Sequence, residues 1–161
     1  MIPQIIHCCW FGGNPMPQKV NEYIEGWKSL NPDYDVMVWT EANFDYTQNR
    51  YMREAYENKK WAFVTDYVRL KVLYDYGGIY MDTDVQVVKN LDPLLDNKAF
   101  SGFEGPDRIP TGTMGAEKHS RWIELLLHDY DDRPFVLADS PFNCSWENMG
   151  PIWNFACNQY I

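Results

Sequence analysis

The chain has 161 residues, 14 basic and 23 acidic, and a formal charge of −9 at pH 7. Apolar residues make up 45% of it, enough for one sizeable core and far from the profile of a disordered chain, so one domain over 1–161 is expected. The acidic balance argues against a nucleic-acid backbone or an anionic membrane surface as partner, since both select clustered Lys and Arg, and an anionic ligand would have to find its positive charge locally.

No apolar run approaches the roughly 18 residues of a membrane span. The segment Met1–Ile6 lacks a basic leader, so a cytoplasmic protein without an integral membrane segment is expected, with peripheral membrane association left open. The four cysteines (Cys8, Cys9, Cys144, Cys157) form no C-x-x-C pair and no zinc-spaced array, and buried reduced thiols are expected.

In chain order, Ile2–His7 reads as a short buried strand running into the turn Trp10-Phe11-Gly12-Gly13-Asn14-Pro15. A helix is predicted over Gln18–Leu30, with Val20, Tyr23, Ile24 and Trp27 on one stripe and Asn31-Pro32-Asp33 as its stop. Val36–Trp39 reads as a second strand and Tyr51–Asn58 as a short helix. Lys60–Tyr76 is the most regular segment: Ala62, Asp66, Arg69 and Leu73 share one face, and Val64, Val68 and Val72 an adjoining one, as in a buried helix. Gly77-Gly78 is expected to end it with a left-handed cap. Ile79–Val88 then alternates with period two, placing Ile79, Met81, Val85 and Val87 on one face and Tyr80, Asp82, Asp84 and Gln86 on the other. Phe100–Phe103 and Thr113–Ala116 are candidate strands, Ser120–Tyr130 a helix, and the turn-rich tail from Pro134 reads poorly. Strands alternating with helices point to an α/β sheet with crossover connections.

Two aspartates at i and i+2 on one strand face repel each other, and a divalent cation resolves the conflict. Hard cations favour carboxylate oxygens, and Mg²⁺ typically takes one or two of them and completes its shell with water and ligand phosphate. Asp82-Thr83-Asp84 can therefore serve as a metal clamp for a diphosphate, although two solvated acids give the same spacing. Asp66 and Arg69, one turn apart on an otherwise apolar helix, read either as an i,i+3 ion pair or as part of a site that repays their burial.

The strings Ile2-Pro-Gln-Ile-Ile-His-Cys-Cys-Trp-Phe-Gly-Gly13, Trp61-Ala-Phe-Val-Thr-Asp-Tyr-Val-Arg-Leu70 and Leu73-Tyr-Asp-Tyr-Gly-Gly-Ile-Tyr-Met-Asp-Thr-Asp84 together resemble the DXD-containing sugar-transfer family, glycosyltransferase family 32. That family includes capsular and lipopolysaccharide transferases, yeast mannosyltransferases and, distantly, the large clostridial glucosylating toxins. The resemblance covers about the first 130 residues. It implies a GT-A fold, a Rossmann-like mixed sheet flanked by helices. It also implies a retaining hexosyltransferase that uses a UDP- or GDP-linked sugar and Mn²⁺ or Mg²⁺, with a glycan, lipid-linked or protein acceptor, as in polysaccharide biosynthesis.

Carried over by residue, the resemblance assigns the metal to Asp84 directly and to Asp82, which would bridge to ribose or to metal-bound water. It gives Asp66 the donor-sugar hydroxyls, Arg69 the sugar or phosphate oxygens, Trp10 the nucleotide base and Tyr80 the donor pocket; Asp66, Arg69 and Asp84 are the catalytic candidates. A core tryptophan and a packed aromatic are the plain readings of Trp10 and Tyr80. Gly77 and Gly78 would serve the turn and leave room for the donor, and His7 reads as a satisfied strand-end histidine.

Thr111–Glu117 fits the family segment that borders sugar and acceptor, and Asn148-Met149-Gly150-Pro151 resembles a later T-G-P element with Met149 in place of Thr. The family usually continues into a loop that closes over the diphosphate. Ser145-Trp146 has the residue types of that loop in the wrong order and is not assigned to it, so either a compact variant or a chain short of its lid is expected. Two other readings accompany the enzyme: an inactive GT-A-like domain that binds nucleotide-sugar or glycan, and a metal-dependent nucleotidyl or phosphoryl transferase, which the Asp66/Arg69 helix does not favour.

Overall fold

The computed structural model describes residues 1–103, 105–106 and 109–135. Asn148–Pro151, Ser145-Trp146, Cys144 and Cys157 lie outside the described residues. The elements in chain order are β1 (Ile5–Cys9), α1 (Gln18–Leu30), β2 (Asp35–Trp39), α2 (Arg50–Glu57), α3 (Trp61–Tyr76), β3 (Gly78–Met81), a short 3₁₀ turn (Asp92–Leu94), β4 (Ala99–Ser101), β5 (Thr113–Ala116) and α4 (Arg121–His128). The strands form one mixed sheet in the order β2-β1-β3-β5-β4, with β1 parallel to β2 and β3, and β5 antiparallel to β3 and β4. The α/β class with a Rossmann-like mixed sheet is as expected. Among the described residues no helix is long and apolar enough to cross a membrane.

The sheet separates two apolar layers. Strand alternation sends Ile6, Cys8, Ile79 and Met81 to one face, where α1 covers them with Ile24 and Trp27. Cys9, Trp39, Tyr80, Met114 and Ala116 face the other side, against α2, α3 and α4. Asn31 ends α1 as its position predicts: its Nδ2 donates to the Trp27 carbonyl (2.9 Å) and its Oδ1 accepts from Leu91 N (2.8 Å), so a fully buried amide stays paired. Asn49 caps α2 by accepting from Met52 N (3.0 Å) and ties α2 to the end of α4 through the Tyr130 carbonyl (3.0 Å).

Helix α3 packs against α2, α4 and strands β1, β3 and β5, which explains why it is apolar over most of its circumference. Val64, Val68, Val72, Leu70 and Leu73 are buried, as are Asp66 and Arg69. Ala62 is exposed, so the expected polar face begins at Asp66 rather than one turn earlier.

The strand expected over Ile79–Val88 is shorter than its alternation implies. β3 ends at Met81, and Asp82-Thr83-Asp84 forms a turn in which Val85 N donates to the Asp82 carbonyl (3.0 Å). The period-two pattern persists because Val85 and Val87 still pack on the α1 layer, as Ile79 and Met81 do, although no strand pairs with them there. Side-chain burial carries the pattern past the last ladder hydrogen bond.

Gly77 ends α3, with its N–H on the Leu73 carbonyl (2.8 Å), but its φ of 68° comes with an extended ψ of −171° rather than the left-handed cap expected. The space beside the two glycines goes to the sheet, not to a ligand. A Cβ on Gly77 would stand 2.6 Å from Lys118 N, and one on Gly78, at φ 109°, 2.6 Å from the Ile5 carbonyl oxygen. His7 is satisfied, as anticipated: Trp39 Nε1–H donates to its Nδ1 (3.1 Å), so its Nε2–H donates to the Gly77 carbonyl (2.8 Å). Burial holds this neutral imidazole down at about 4. Cys8 and Cys9 are free buried thiols; burial pushes Cys8 up to about 12 and Cys9 further, as suits inert core residues.

Gly78→Ala adds backbone strain and a contact that neither β1 nor α3 can relieve. A loss of about 2–4 kcal/mol is expected, seen as a lower urea midpoint with an unchanged m-value.

Candidate donor-binding site

From β1 the chain passes to β2 on one side and then, through α2 and α3, to β3 on the other. The crevice beyond the carboxyl ends of β1 and β3 is thus a topological switch point, where open α/β sheets bind ligands. The loop carrying Trp10 follows β1, and the Asp82-Thr83-Asp84 turn follows β3, so both sequence-selected groups lie at this edge.

The turn is held from beneath. Asp82 Oδ1 accepts from the Tyr80 hydroxyl (2.8 Å) and lies 3.5 Å from Arg69 Nη2. Asp82 N donates to the Gly112 carbonyl (2.8 Å), and a Cβ on Gly112 would come within 2.9 Å of Asp82 Oδ2. One oxygen of Asp82 is thereby engaged by the protein, while the other lies against a residue with no side chain. Asp84 is exposed and makes no hydrogen bond or ion pair among the described residues.

Arg69 is 4% exposed and its donors go to protein acceptors. Nε bonds the Thr65 carbonyl (3.1 Å), Nη1 the Thr111 carbonyl and hydroxyl (2.9 and 2.8 Å), and Nη2 the Thr65 hydroxyl (3.0 Å). Nη2 also faces Asp66 Oδ1 at 3.3 Å, and the guanidinium carbon stands 4.8 Å from the Tyr80 ring centroid. Four of the five N–H groups of the fork donate to protein acceptors, and the remaining one, on Nη2, lies between the Asp66 and Asp82 carboxylates. Tyr80 is likewise buried, with its hydroxyl spent on Asp82.

Asp66 is 4% exposed, and burial pushes its carboxyl up to about 6, with the Arg69 charge working against that rise and Asp82 adding to it. Trp10 is half-buried rather than a core tryptophan; its N–H donates to the Trp39 carbonyl (2.8 Å) and its indole Nε1 to the Asn14 carbonyl (2.7 Å), which fixes the ring on the loop.

The donor set is of the right chemistry for a hard cation, but its size matters. Among the described residues no three His, Cys, Asp or Glu side chains converge on one point. Two carboxylates on one turn fit a cation shared with a ligand's phosphate and water, not an all-protein cage. Sequence reasoning passed over Thr65, which bonds Arg69, and it placed Thr111 and Gly112 only in a segment bordering the sugar, without their contacts to Arg69 and Asp82. Thr65 stands four residues before Arg69 on the same helix and was within reach of that reasoning. The contacts of Thr111 with Arg69 and of Gly112 with Asp82 carried no local signal, because only tertiary packing brings that segment to α3 and the turn.

Residues 17–101 match the family model described as the glycosyltransferase sugar-binding region containing the DXD motif. An inositol phosphoceramide mannosyltransferase of Schizosaccharomyces pombe is 36% identical over 128 residues, covering 73% of this chain and 34% of its own length. The mannosyl phosphorylinositol ceramide synthase SUR1 of Saccharomyces cerevisiae is 29% identical over 167 residues, covering 95% and 41%. The chain thus spans between a third and a half of these relatives. Among solved structures, the PaToxG glycosyltransferase superposes with a TM-score of 0.76 at 22% identity, over 99% of this chain and 69% of that one, and shares the fold. The matched region contains Asp66, Arg69, Asp82 and Asp84, and the chain belongs to the DXD-motif family of glycosyltransferase sugar-binding regions.

Proposed function

We propose that this chain binds the donor in a retaining glycosyltransferase that moves a hexose from a UDP- or GDP-linked sugar, with Mn²⁺ or Mg²⁺ shared between the Asp82-Thr83-Asp84 turn and the diphosphate. The observation that carries this reading is the turn itself: Asp82 is anchored through one oxygen, and Asp84 is exposed without a partner, at the sheet's switch point. Mannose is the first sugar to test, because two of the relatives are named for mannosyl transfer. The acceptor is a glycan, a lipid-linked sugar or a protein.

The local charge supports a divalent ion. Asp66 and Asp82 stand against the Arg69 guanidinium and Asp84 is on the same turn as Asp82 without a partner, which leaves two negative charges uncompensated when all are ionised. A bound divalent cation would cancel them and stabilise the charge that develops on a departing nucleoside diphosphate. The chain's own residues then divide the work. Asp84 and the free oxygen of Asp82 hold the cation. Asp66 accepts hydrogen bonds from sugar hydroxyls, which repays the burial of its carboxylate. Trp10 stacks on the base. Arg69 and Tyr80, with their donors already committed, act as positioning residues for Asp82 and Asp66, a narrower role than direct contact with the phosphate.

Titration with UDP, GDP and their sugars, with and without Mn²⁺, tests the reading. Metal is expected to strengthen diphosphate binding at least tenfold, and Asp84→Ala to abolish that gain; an undiminished gain in the variant removes the clamp. Donor hydrolysis or transfer should accompany binding, and tight binding with no sugar release over a panel of acceptors would instead identify an inactive donor-binding domain. Arg69→Lys keeps the charge but loses the fork, so a lower melting temperature and a higher Mn²⁺ requirement are expected together. A variant matching the parent in both would release Arg69 from its positioning role.

The buried pair His7 and Asp66 sets a pH signature in the ligand-free chain. His7, held at about 4 when folded, contributes stability that is present above its unfolded value near 6.5 and is lost as pH falls towards 4, by about 3 kcal/mol in all. Asp66, raised to about 6, works in the opposite sense: the folded state keeps its proton longer, so its contribution is present at low pH and fades as pH rises through 6. The two oppose each other between roughly pH 4 and 6.5. Asp66→Asn should therefore steepen the acid-side loss in denaturant titrations run across that range, and an unchanged profile would refute the buried carboxyl assignment.

A further inference from the structure

The loop after β1 is clamped by residues to which neither the metal nor the sugar assigns a role. Gly12 N–H donates to Glu41 Oε1 at 2.5 Å, and the Tyr56 hydroxyl donates to the same oxygen at 3.2 Å. Tyr56 stacks on Tyr46 (centroids 3.8 Å apart, planes at 16°) and meets the Trp61 ring edge-on at 5.1 Å. Trp61 in turn occupies the space over Gly12: a Cβ there would fall 2.8 Å from Trp61 Cε2 and 2.9 Å from Nε1, and Gly12 sits at φ 102°. The turn after β2, the end of α2 and the start of α3 thus converge on one backbone amide.

The chemistry of the contact limits what it can be for. Among the described residues Glu41 has no ion-pair partner. It accepts one backbone and one phenol hydrogen bond, and a carboxylate acceptor makes both stronger than neutral ones. A glycine N–H would otherwise find water, and a positive-φ glycine followed by Gly13, also at positive φ (69°), would leave the loop free to sample other conformations. The loop's other fixed point is Trp10, pinned by the Trp39 and Asn14 carbonyls.

We propose that Glu41, with Tyr56 and Trp61 behind it, is a positioning device that preorganises the Trp10–Asn14 loop to receive the base of a nucleoside diphosphate. The proposal rests on Trp10 as the base platform. Glu41 does not touch the ligand; it removes the ordering cost that a mobile glycine loop would levy on binding. The device acts on the base end of the ligand only, because the diphosphate end is held by a separate set of contacts around Asp82.

The test compares the parent chain with Glu41→Ala, Glu41→Gln and Tyr56→Phe by calorimetry, using UDP, GDP and inorganic pyrophosphate, each with Mn²⁺. Glu41→Ala is expected to weaken the nucleotide that binds the parent about tenfold and to leave pyrophosphate binding unchanged. Glu41→Gln, whose side-chain carbonyl can accept the same two bonds, should recover most of the loss, and Tyr56→Phe should lose less than Glu41→Ala. Amide hydrogen exchange in the ligand-free proteins supplies a readout that needs no nucleotide: Glu41→Ala should speed exchange at Gly12 and its neighbours and leave β1 protected. Unchanged exchange at Gly12 overturns the clamp, and so does an equal loss of pyrophosphate and nucleotide affinity. Faster exchange in Glu41→Ala, in a parent that binds pyrophosphate but neither nucleotide more tightly, would retain the clamp and overturn the base-platform reading of Trp10.

Discussion

The buried guanidinium of Arg69 is the constraint on which the rest of the site depends. A charge taken out of water is costly unless it is paired and hydrogen-bonded on every side, and here Thr65, Thr111, Asp66, Asp82 and the Tyr80 ring meet that requirement together. The consequence is mechanical as much as electrostatic. One side chain on α3 reaches both the turn after β3 and the segment entering β5, so three stretches far apart in sequence are held to one another by a single planar fork. Removing one member leaves the others with unpaired buried groups, which is why the network is expected to respond as a unit.

The acidic composition takes on a different meaning in this setting. A formal charge of −9 counts against an anionic ligand only if the charges act globally. At the sheet edge the relevant quantity is local: Arg69 offsets one carboxylate, and the exposed Asp84 remains without a partner. A site of that sign would attract a cation first and an anion only through it. The proposed clamp offers two hard oxygen donors rather than a cage, so a cation's affinity for the protein alone would be modest and its affinity for the protein with a diphosphate much higher.

Much of this was legible in the chain, for reasons that differ by element. Helix α1 and strand β5 appear with the bounds expected of them, α1 because it packs one face on a core and ends at Asn31. Asp66 and Arg69 were visible as polar residues on an apolar helix, and the structure brings them together with Asp82 and Tyr80. The strand expected across Asp82 and Asp84 was misread because alternation reports burial, not hydrogen bonding: Val85 and Val87 keep their core contacts after pairing stops. The 3₁₀ turn at Asp92–Leu94 carried no periodic signal at so short a length. Glu41 and Trp61 were opaque for another reason, since the contacts that give them meaning exist only once β2, α2 and α3 are packed around the β1 loop.

The two ends of the crevice are built on independent supports. The turn after β3 hangs on Arg69 and Tyr80 inside the α3 layer, whereas the loop after β1 hangs on Glu41, Tyr56 and Trp61 at the rim. Parallel neighbours β1 and β3 set the spacing between them, and the glycine at position 78, pressed against the Ile5 carbonyl, keeps those strands close. On the proposed function, a ligand with a base at one end and a diphosphate at the other would meet two anchors whose separation is set by a sheet rather than by a loop. The anchors share no side chain. On that proposal a change at one end should alter recognition of that end alone, and a chain that keeps Asp66, Arg69, Asp82 and Asp84 while varying the Glu41 rim would retune the base end without disturbing the diphosphate end.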